Sequence, residues 1–368
     1  MTESALAAPL LSVASELAPG TLVRASGSRF ELGVQIGTAQ RGAIHRFLGR
    51  RLAGLEVLAA HVGDVQALRR EIGRHMRVIE RSLPGMAQEL NGLAHGAEIS
   101  VSDAYLLQLR RELTGYQSVR PAAGDCTTFG RLGGTSTVLG QTIDLNGDLH
   151  AELCVLDLTH AASGRRLLMA SFTGLLGYLG MNDRGLAIGL NLVLGGDWQP
   201  GIPGYMAIRH LLDECASVDE CIALLRQLPL ASSRALMITD GRRLVVVEYI
   251  LNSVRVTEHK TSCVHANHFL HPDFHSRDEL NPFARTSSLR REQACTTALR
   301  SLGTDATASA CFAFLQTPPL HVEGNGDMRR ECTVGAVVMH PLLGRFAIRQ
   351  RAATSQPARG APSTLSSV

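Results

Sequence analysis

No stretch of this 368-residue chain approaches the roughly 18 unbroken apolar residues that a helix needs to cross a bilayer, so no membrane span is expected. Residues 1–20 (MTESALAAPLLSVASELAPG) carry acidic groups, no Lys or Arg, and only a short broken apolar run. A secretory signal is therefore not expected, and a cytoplasmic location is. Charge of one sign is also scarce. The formal net charge of +3 is too slight to imply a nucleic-acid partner. Eight cysteines are present (Cys126, Cys154, Cys215, Cys221, Cys263, Cys295, Cys311 and Cys332), but none forms a CxxC pair, and Cys215 with Cys221 lacks structural-zinc spacing. Most of these thiols read as small buried hydrophobes in a reducing compartment. Internal repeats are missing as well.

What is present is core material. Hydrophobic residues make up 45% and charged residues 19%, a composition that folds into one large layered domain or two average ones. Arginines gather between Arg41 and Arg81, diluted by Glu56, Asp64, Glu71 and Glu80. They read as a solvated helical face, or as a site for an anion such as coenzyme A.

The first third is predicted to be mainly helical. Leu68, Ile72, Met76, Ile79 and Leu83 recur at steps of three and four, and Pro84 fits the start of a further helix. Ser102 or Asp103 is the expected cap of the next one, AYLLQLRREL. Residues 20–35 read as a short strand, a turn and a helix start. After PAAGD the texture changes to short β-rich runs separated by glycine turns. LTHAASGRR and ITDGRR separate paired runs as antiparallel hairpin loops do. PGYMAIRHLLDECASVDECIALLRQL and SSLRREQACTTALRSL are the helical interruptions. This alternation predicts an α+β layered domain with antiparallel sheets rather than a doubly wound parallel one. The tail from Ala352 is polar, small-residue rich and expected to be disordered.

Gly124-Asp125-Cys126-Thr127-Thr128 lies where a flexible segment feeds the first β-run. Taken alone, Cys126 could simply pack in a strand. Its surroundings narrow the choice. From about residue 22 to residue 350 the chain resembles the penicillin acyltransferase family. The resemblance runs in order through GSRFELGVQIG, LPGMAQELNGLAHGAEISVSDAYLLQLRREL, GDCTTFG, VLGQTIDLN, FTGLLGYLGMNDRGLAIGLN, VHANHFL and SSLRREQA.

The resemblance implies a four-layer αββα N-terminal-nucleophile hydrolase sandwich, activated when the precursor cuts itself between Asp125 and Cys126. The products would be a helical α chain of residues 1–125 and a β chain of residues 126–368, with a catalytic part over 126–351, joined as a heterodimer. The family's pattern has glycine before the nucleophile, whereas this chain has Asp125 there and glycine one position earlier. An internal thiol has a pKa of about 8.5 and no built-in base. Cutting the preceding peptide frees an α-amino group of pKa about 7.7–8.0 on the same residue, which can take the thiol proton.

The resemblance further implies an oxyanion donor at Asn267 in VHANHFL. It also implies a role for Asp144, 18 positions after Cys126, in holding the new amine or orienting a substrate amine. It places Asn191 on the pocket and a supporting Ser287-x-x-Arg290 pair at a helix start. A turn aspartate, a strand-end hydrogen bond and a plain helix cap are the ordinary readings of these three. Thr128 shares a strand face with Cys126. Tyr178, Met181, Leu192 and Trp198 are candidates for an acyl or aryl pocket.

The expected activity is acyl transfer from an amide or thioester, through Cys126, to an amine. Water is the alternative acceptor, which would make the protein an amide hydrolase. Two other readings stay open: an unprocessed, non-catalytic relative, and a Cys–His hydrolase using His265 or His268. No cofactor and no metal are expected, and coenzyme A enters only as a thioester substrate. The partner is a small amide or acyl donor, with no nucleic acid and no membrane.

Overall fold

The computed structural model describes residues 9–18, 20–58, 64–115, 126–303 and 305–350. The chain opens with β1 (Ser12–Ser15) and β2 (Leu22–Gly27), then runs through α1 (Arg29–Leu48), α2 (Leu55–Leu58), α3 (Val65–Ser82), α4 (Pro84–Ala97) and α5 (Val101–Thr114). Capping chemistry fixes the helix starts. Ser28 and Glu31 cap each other's backbone at α1, and Pro84 opens α4. At α5 the cap is Ser100, whose hydroxyl accepts from Asp103 N–H, and not Ser102 or Asp103. Leu68, Ile72 and Ile79 of α3 are buried, while Arg70, Arg74, Arg77 and Arg81 face solvent. Arg69 pairs with Asp103 at 2.6 Å and Arg74 with Glu71 at 3.3 Å, so this arginine run is a solvated face.

The rest is β3 (Thr128–Arg131), β4 (Val138–Asn146), β5 (Leu153–His160), β6 (Arg166–Phe172), β7 (Leu179–Asn182) and β8 (Ala187–Leu192), then α6 (Gly204–Glu214) and α7 (Val218–Leu225). There follow β9 (Ser233–Thr239), β10 (Leu244–Ile250), β11 (Ser253–His259), β12 (Ser262–His265), α8 (Pro282–Ser301), α9 (Ala308–Leu315), β13 (Glu331–His340) and β14 (Arg345–Arg349). One sheet has the order β1-β14-β13-β4-β3-β12, the other β11-β10-β9-β8-β7-β6-β5-β2. The pairings are antiparallel except at two edges, where β1 runs parallel to β14 and β2 to β5.

The sheets stack face to face. Gln141 of β4 reaches across to β8, donating from Nε2 to Leu190 O at 2.6 Å and accepting from Leu190 N–H at 2.8 Å. Helices α1, α6 and α7 pack on the larger sheet, with α4 against α1, and α8 and α9 pack on the smaller, which completes an αββα sandwich. Covering both faces explains why β9 and β10 read as nearly continuous apolar runs: neither face meets water.

Helices α1 and α4 touch backbone to backbone. A Cβ at Gly33 would overlap Glu89 O, and one at Gly96 would overlap Val34 O, so only glycine allows this approach. A buried ion network then ties the N-terminal helices to the later elements. Arg209 donates to Glu89 at 3.0 Å and to Asp213 at 3.0 Å, and Asp213 also takes Arg29 and, at 2.7 Å, His160. Burial opposes the charge on Asp213, but Arg209, His160 and Arg29 together hold it far below the usual carboxylate range.

Candidate active site

Cys126 stands at the head of β3, in the smaller sheet between β4 and β12, and is 2% exposed. Its Sγ accepts from Asp144 N–H at 3.3 Å, donates toward Asp144 O at 3.6 Å, and lies 3.6 Å from the Tyr178 hydroxyl. Its carbonyl is gripped twice, by Asn191 Nδ2 at 2.8 Å and Arg291 Nη1 at 3.0 Å. Thr127 is pinned to β4 in both directions, donating to Thr142 Oγ1 and accepting from Thr142 N–H, each at 3.0 Å. The nucleophile candidate is thus fixed through its side chain and from its C-terminal side. Asp125 lies outside the described residues.

Strand β12 pairs with β3 so that His265 faces Thr128; continuing the register puts Asn267 opposite Cys126. Asn267 Nδ2 gives one hydrogen to Leu192 O at 2.9 Å, and its second hydrogen is available for a substrate oxygen. Arg291 Nη2 donates to Asn267 Oδ1 at 2.9 Å, so one guanidinium holds both Asn267 and the Cys126 carbonyl. The loop that carries Asn267 is anchored by Glu248 of β10. That carboxylate accepts from His265 Nε2 at 3.0 Å, Leu270 N–H at 2.7 Å and His271 N–H at 2.6 Å. Burial opposes the Glu248 charge, yet the His265 hydrogen bond and charge and the two amides keep its carboxyl below the ordinary range.

The two α8 positions named from the sequence differ from those whose side chains the helix buries. Arg290 is exposed, and Ser287 is half-buried, with Oγ 3.5 Å from Arg291 Nε. The side chains that α8 buries are Ser288, Arg291, Cys295 and Leu299, and Ser288 Oγ accepts from Asn267 N–H at 2.8 Å. Projecting back from the apolar Cys295 and Leu299 at helical spacing would have found Arg291 and Ser288. Thr128 lies between the sheets and turns its methyl onto Gly189 of β8, and the Asp144 side chain is wholly buried.

His265 and His268 invite a metal or Cys–His reading, but both rings are engaged elsewhere. His265 Nδ1 meets Ala266 O at 2.8 Å and its Nε2 meets Glu248. His268 meets Ser288 Oγ at 2.8 Å and Glu292 at 3.3 Å. Burial pushes the thiols of Cys154, Cys263 and Cys311 up to about 12, which leaves them protonated packing groups.

Tyr178, whose hydroxyl lies 3.6 Å from Cys126 Sγ, also forms one wall of a cavity of about 70 Å³. Its ring stacks on Tyr205 at 5.0 Å and meets the edge of Phe172 at 5.5 Å. The other walls include Leu107, Arg110, Arg111 and Leu145. Met181, Leu192 and Trp198, expected to share this role, lie elsewhere. Trp198 donates Nε1–H to Ser233 Oγ at 3.1 Å and packs under Arg234.

Residues 131–309 match the family model for acyl-coenzyme A:6-aminopenicillanic acid acyl-transferase. The chain is 26% identical over 265 residues to the 40 kDa form of acyl-coenzyme A:6-aminopenicillanic-acid-acyltransferase of Emericella nidulans, covering 71% of this chain and 72% of that protein. Among solved structures it is similar to penicillin V acylase from Agrobacterium tumefaciens, at 16% identity and a TM-score of 0.44, over 58% of this chain and 80% of that one. It is also similar to a mutant of conjugated bile acid hydrolase from Clostridium perfringens, at 13% identity and a TM-score of 0.40, over 61% of this chain and 89% of that one.

Proposed function

We propose that this chain, whose residues 131–309 match the family model for acyl-coenzyme A:6-aminopenicillanic acid acyl-transferase, is a self-processing enzyme that transfers an acyl group through a thioester on Cys126 to an amine. That match, and the likeness to the Emericella nidulans acyltransferase, support acyl transfer or amide cleavage. The finer reading rests on one observation: the Cys126 thiol is held by the Asp144 backbone while Asn191 and Arg291 grip the carbonyl behind it. A residue anchored in that way keeps its place when the peptide in front of it is opened.

In processing, Sγ attacks the Asp125 carbonyl carbon, the C–N bond to Cys126 breaks, and the nitrogen leaves as an amine. Water hydrolyses the resulting thioester, giving the Asp125 carboxylate and a Cys126 that carries both thiol and α-amine. That amine, with a pKa of about 7.7–8.0, takes the thiol proton when substrate arrives. Sulfur attacks the substrate carbonyl and the oxyanion meets Asn267 Nδ2–H. The substrate amine departs with the stored proton, leaving an acyl thioester. An acceptor amine attacks that thioester and frees the thiol. Water is the competing acceptor. The burial of the thiol favours an amine delivered by binding. No metal or other cofactor enters, and residues 1–125 and 126–368 stay together as a heterodimer. A coenzyme A ester is an acceptable acyl donor in this scheme.

Intact-mass measurement tests the reading. Processed protein gives two pieces, about one third and two thirds of the 39.5 kDa chain, and Cys126→Ala gives one piece with no turnover. Active protein that is still a single 39.5 kDa chain would overturn it, and cleavage persisting in Cys126→Ala would assign the cut to another residue.

A further inference from the structure

The cavity walled by Tyr178 is more than an apolar slot. Among the described residues, its walls hold two guanidinium groups, Arg110 and Arg111, and no carboxylate side chain. The two arginines are held very differently. Arg110 donates Nε–H to Ala53 O at 2.8 Å and Nη2–H to Asp148 at 3.4 Å, and it lies over the Phe47 ring at 5.7 Å. Two of its five N–H donors are thereby used, and its charge is paired with Asp148. Arg111, one residue on along α5, has one ion-pair partner among the described residues, Glu331, at 3.9 Å, which is too long for a hydrogen bond. Among the described residues its guanidinium donates to no acceptor, although the side chain is only 14% exposed. A guanidinium with its fork unspent, walled in by Leu107, Leu145, Phe172 and Tyr178, is set for a planar anion.

We propose that Arg111 is a specificity-determining residue that selects substrates bearing a carboxylate on the part of the molecule that fills this cavity. The inference rests on the acyl-transfer reading above and deepens it by naming a substrate class. The apolar walls take the body of the group, and the Tyr178 hydroxyl, 3.6 Å from Sγ, marks the reacting end. Arg111 takes the carboxylate in a two-pronged pair. Glu331 keeps the fork oriented without occupying it. Shared chemistry leaves two places for the carboxylate, the acyl side or the amine side of the scissile amide, and paired substrates separate them.

The test measures kcat/KM of processed protein on two matched pairs of chromogenic amides. Glutaryl p-nitroanilide against butanoyl p-nitroanilide places the charge on the acyl side. A phenylacetamido-nitrobenzoate against phenylacetyl p-nitroanilide places it on the amine side. One pair is expected to favour its carboxylate-bearing member by about 10- to 100-fold, the range for a hydrogen bond to a charged group. In Arg111→Gln that ratio falls to near one, and in Arg111→Lys it is partly restored. If wild-type protein prefers the neutral member of both pairs, the inference is overturned whether or not the variants fold. A carboxylate preference that survives in Arg111→Gln overturns it equally. Absence of turnover and of Cys126 acylation with every amide is a different failure; it removes the acyl-transfer reading and this inference with it.

Discussion

Arg291 is the residue on which the geometry of the site converges, and its replacement gives the sharpest test of that geometry. In Arg291→Met the methionine matches much of the length and apolar stem of the arginine, but it donates nothing. Among the described residues four acceptors lose this donor: the Cys126 carbonyl, Thr127 Oγ1, Asn267 Oδ1 and Ser287 Oγ, now held at 3.0, 2.9, 2.9 and 3.5 Å. Asn191 still holds the first of them, so the carbonyl is weakened rather than orphaned. Asn267 keeps Leu192 O but loses the contact that fixes the other side of its amide. Losing an oxyanion donor typically costs about 3–4 kcal/mol, so a fall of about 10²- to 10³-fold in kcat is expected when Asn267 is no longer aimed. Stability also falls: each unsatisfied buried group costs about 1–3 kcal/mol.

Arg291 is expected to act through Asn267. Asn267→Ala alone should lower kcat by a similar factor, and the double variant should be little worse than either single one, because the two residues form one unit. Steady-state kinetics on wild type, both single variants and the double variant, with intact mass to confirm processing of each, measures the coupling. Turnover within about threefold of wild type in Arg291→Met, or fully additive losses in the double variant, would refute the reasoning.

Two further outcomes follow from the fold. Gly96→Ala puts a methyl group against Val34 O of α1, where backbone rather than a movable side chain stands in the way. A melting temperature lower by several degrees, or loss of soluble protein, is expected in thermal unfolding, and an unchanged midpoint would contradict the close approach of the helices. Glu248 is held below its ordinary value of 4.5 in the native state, so the unfolded chain binds its proton first as the pH falls. Its contribution is therefore present above about pH 4.5 and is lost as acid reaches its native pKa. In denaturant titrations, wild type is expected to lose more stability than Glu248→Gln between pH 6 and the acid limit of folding. Parallel profiles would show that Glu248 does not titrate in the way its partners require.

Much of this was legible because it is local. The loops LTHAASGRR and ITDGRR announce β5–β6 and β9–β10, and the stripe of α3 announces its buried face. Cys126, Asp144 and Asn267 were picked out by their resemblance to a family, and the structure brings them together through the pairing of β3 with β4 and β12. What stayed hidden depends on distant partners or on helix phase. Four-residue strands such as β7 and β12 are too short to show a period, and the parallel edges of β1 and β2 pair with strands far along the chain. Arg291 was displaced by Arg290 because a run of two arginines carries no phase of its own. Only Cys295 and Leu299, packed against the sheet, say which of the two turns inward. Glu248 gave no local sign at all, sitting in the apolar run LVVVEYI while its acceptors are used by a loop that follows β12.

The two opening strands have a consequence for anyone handling the protein in pieces. β1 seals one rim of the smaller sheet, on β14, and β2 seals one rim of the larger, on β5. A polypeptide beginning at Cys126 and made by itself would leave β14 and β5 with bare, unsaturated borders, the kind of surface that recruits other chains into aggregates. Refolding separately prepared fragments should therefore work only when both are present from the first moment of collapse.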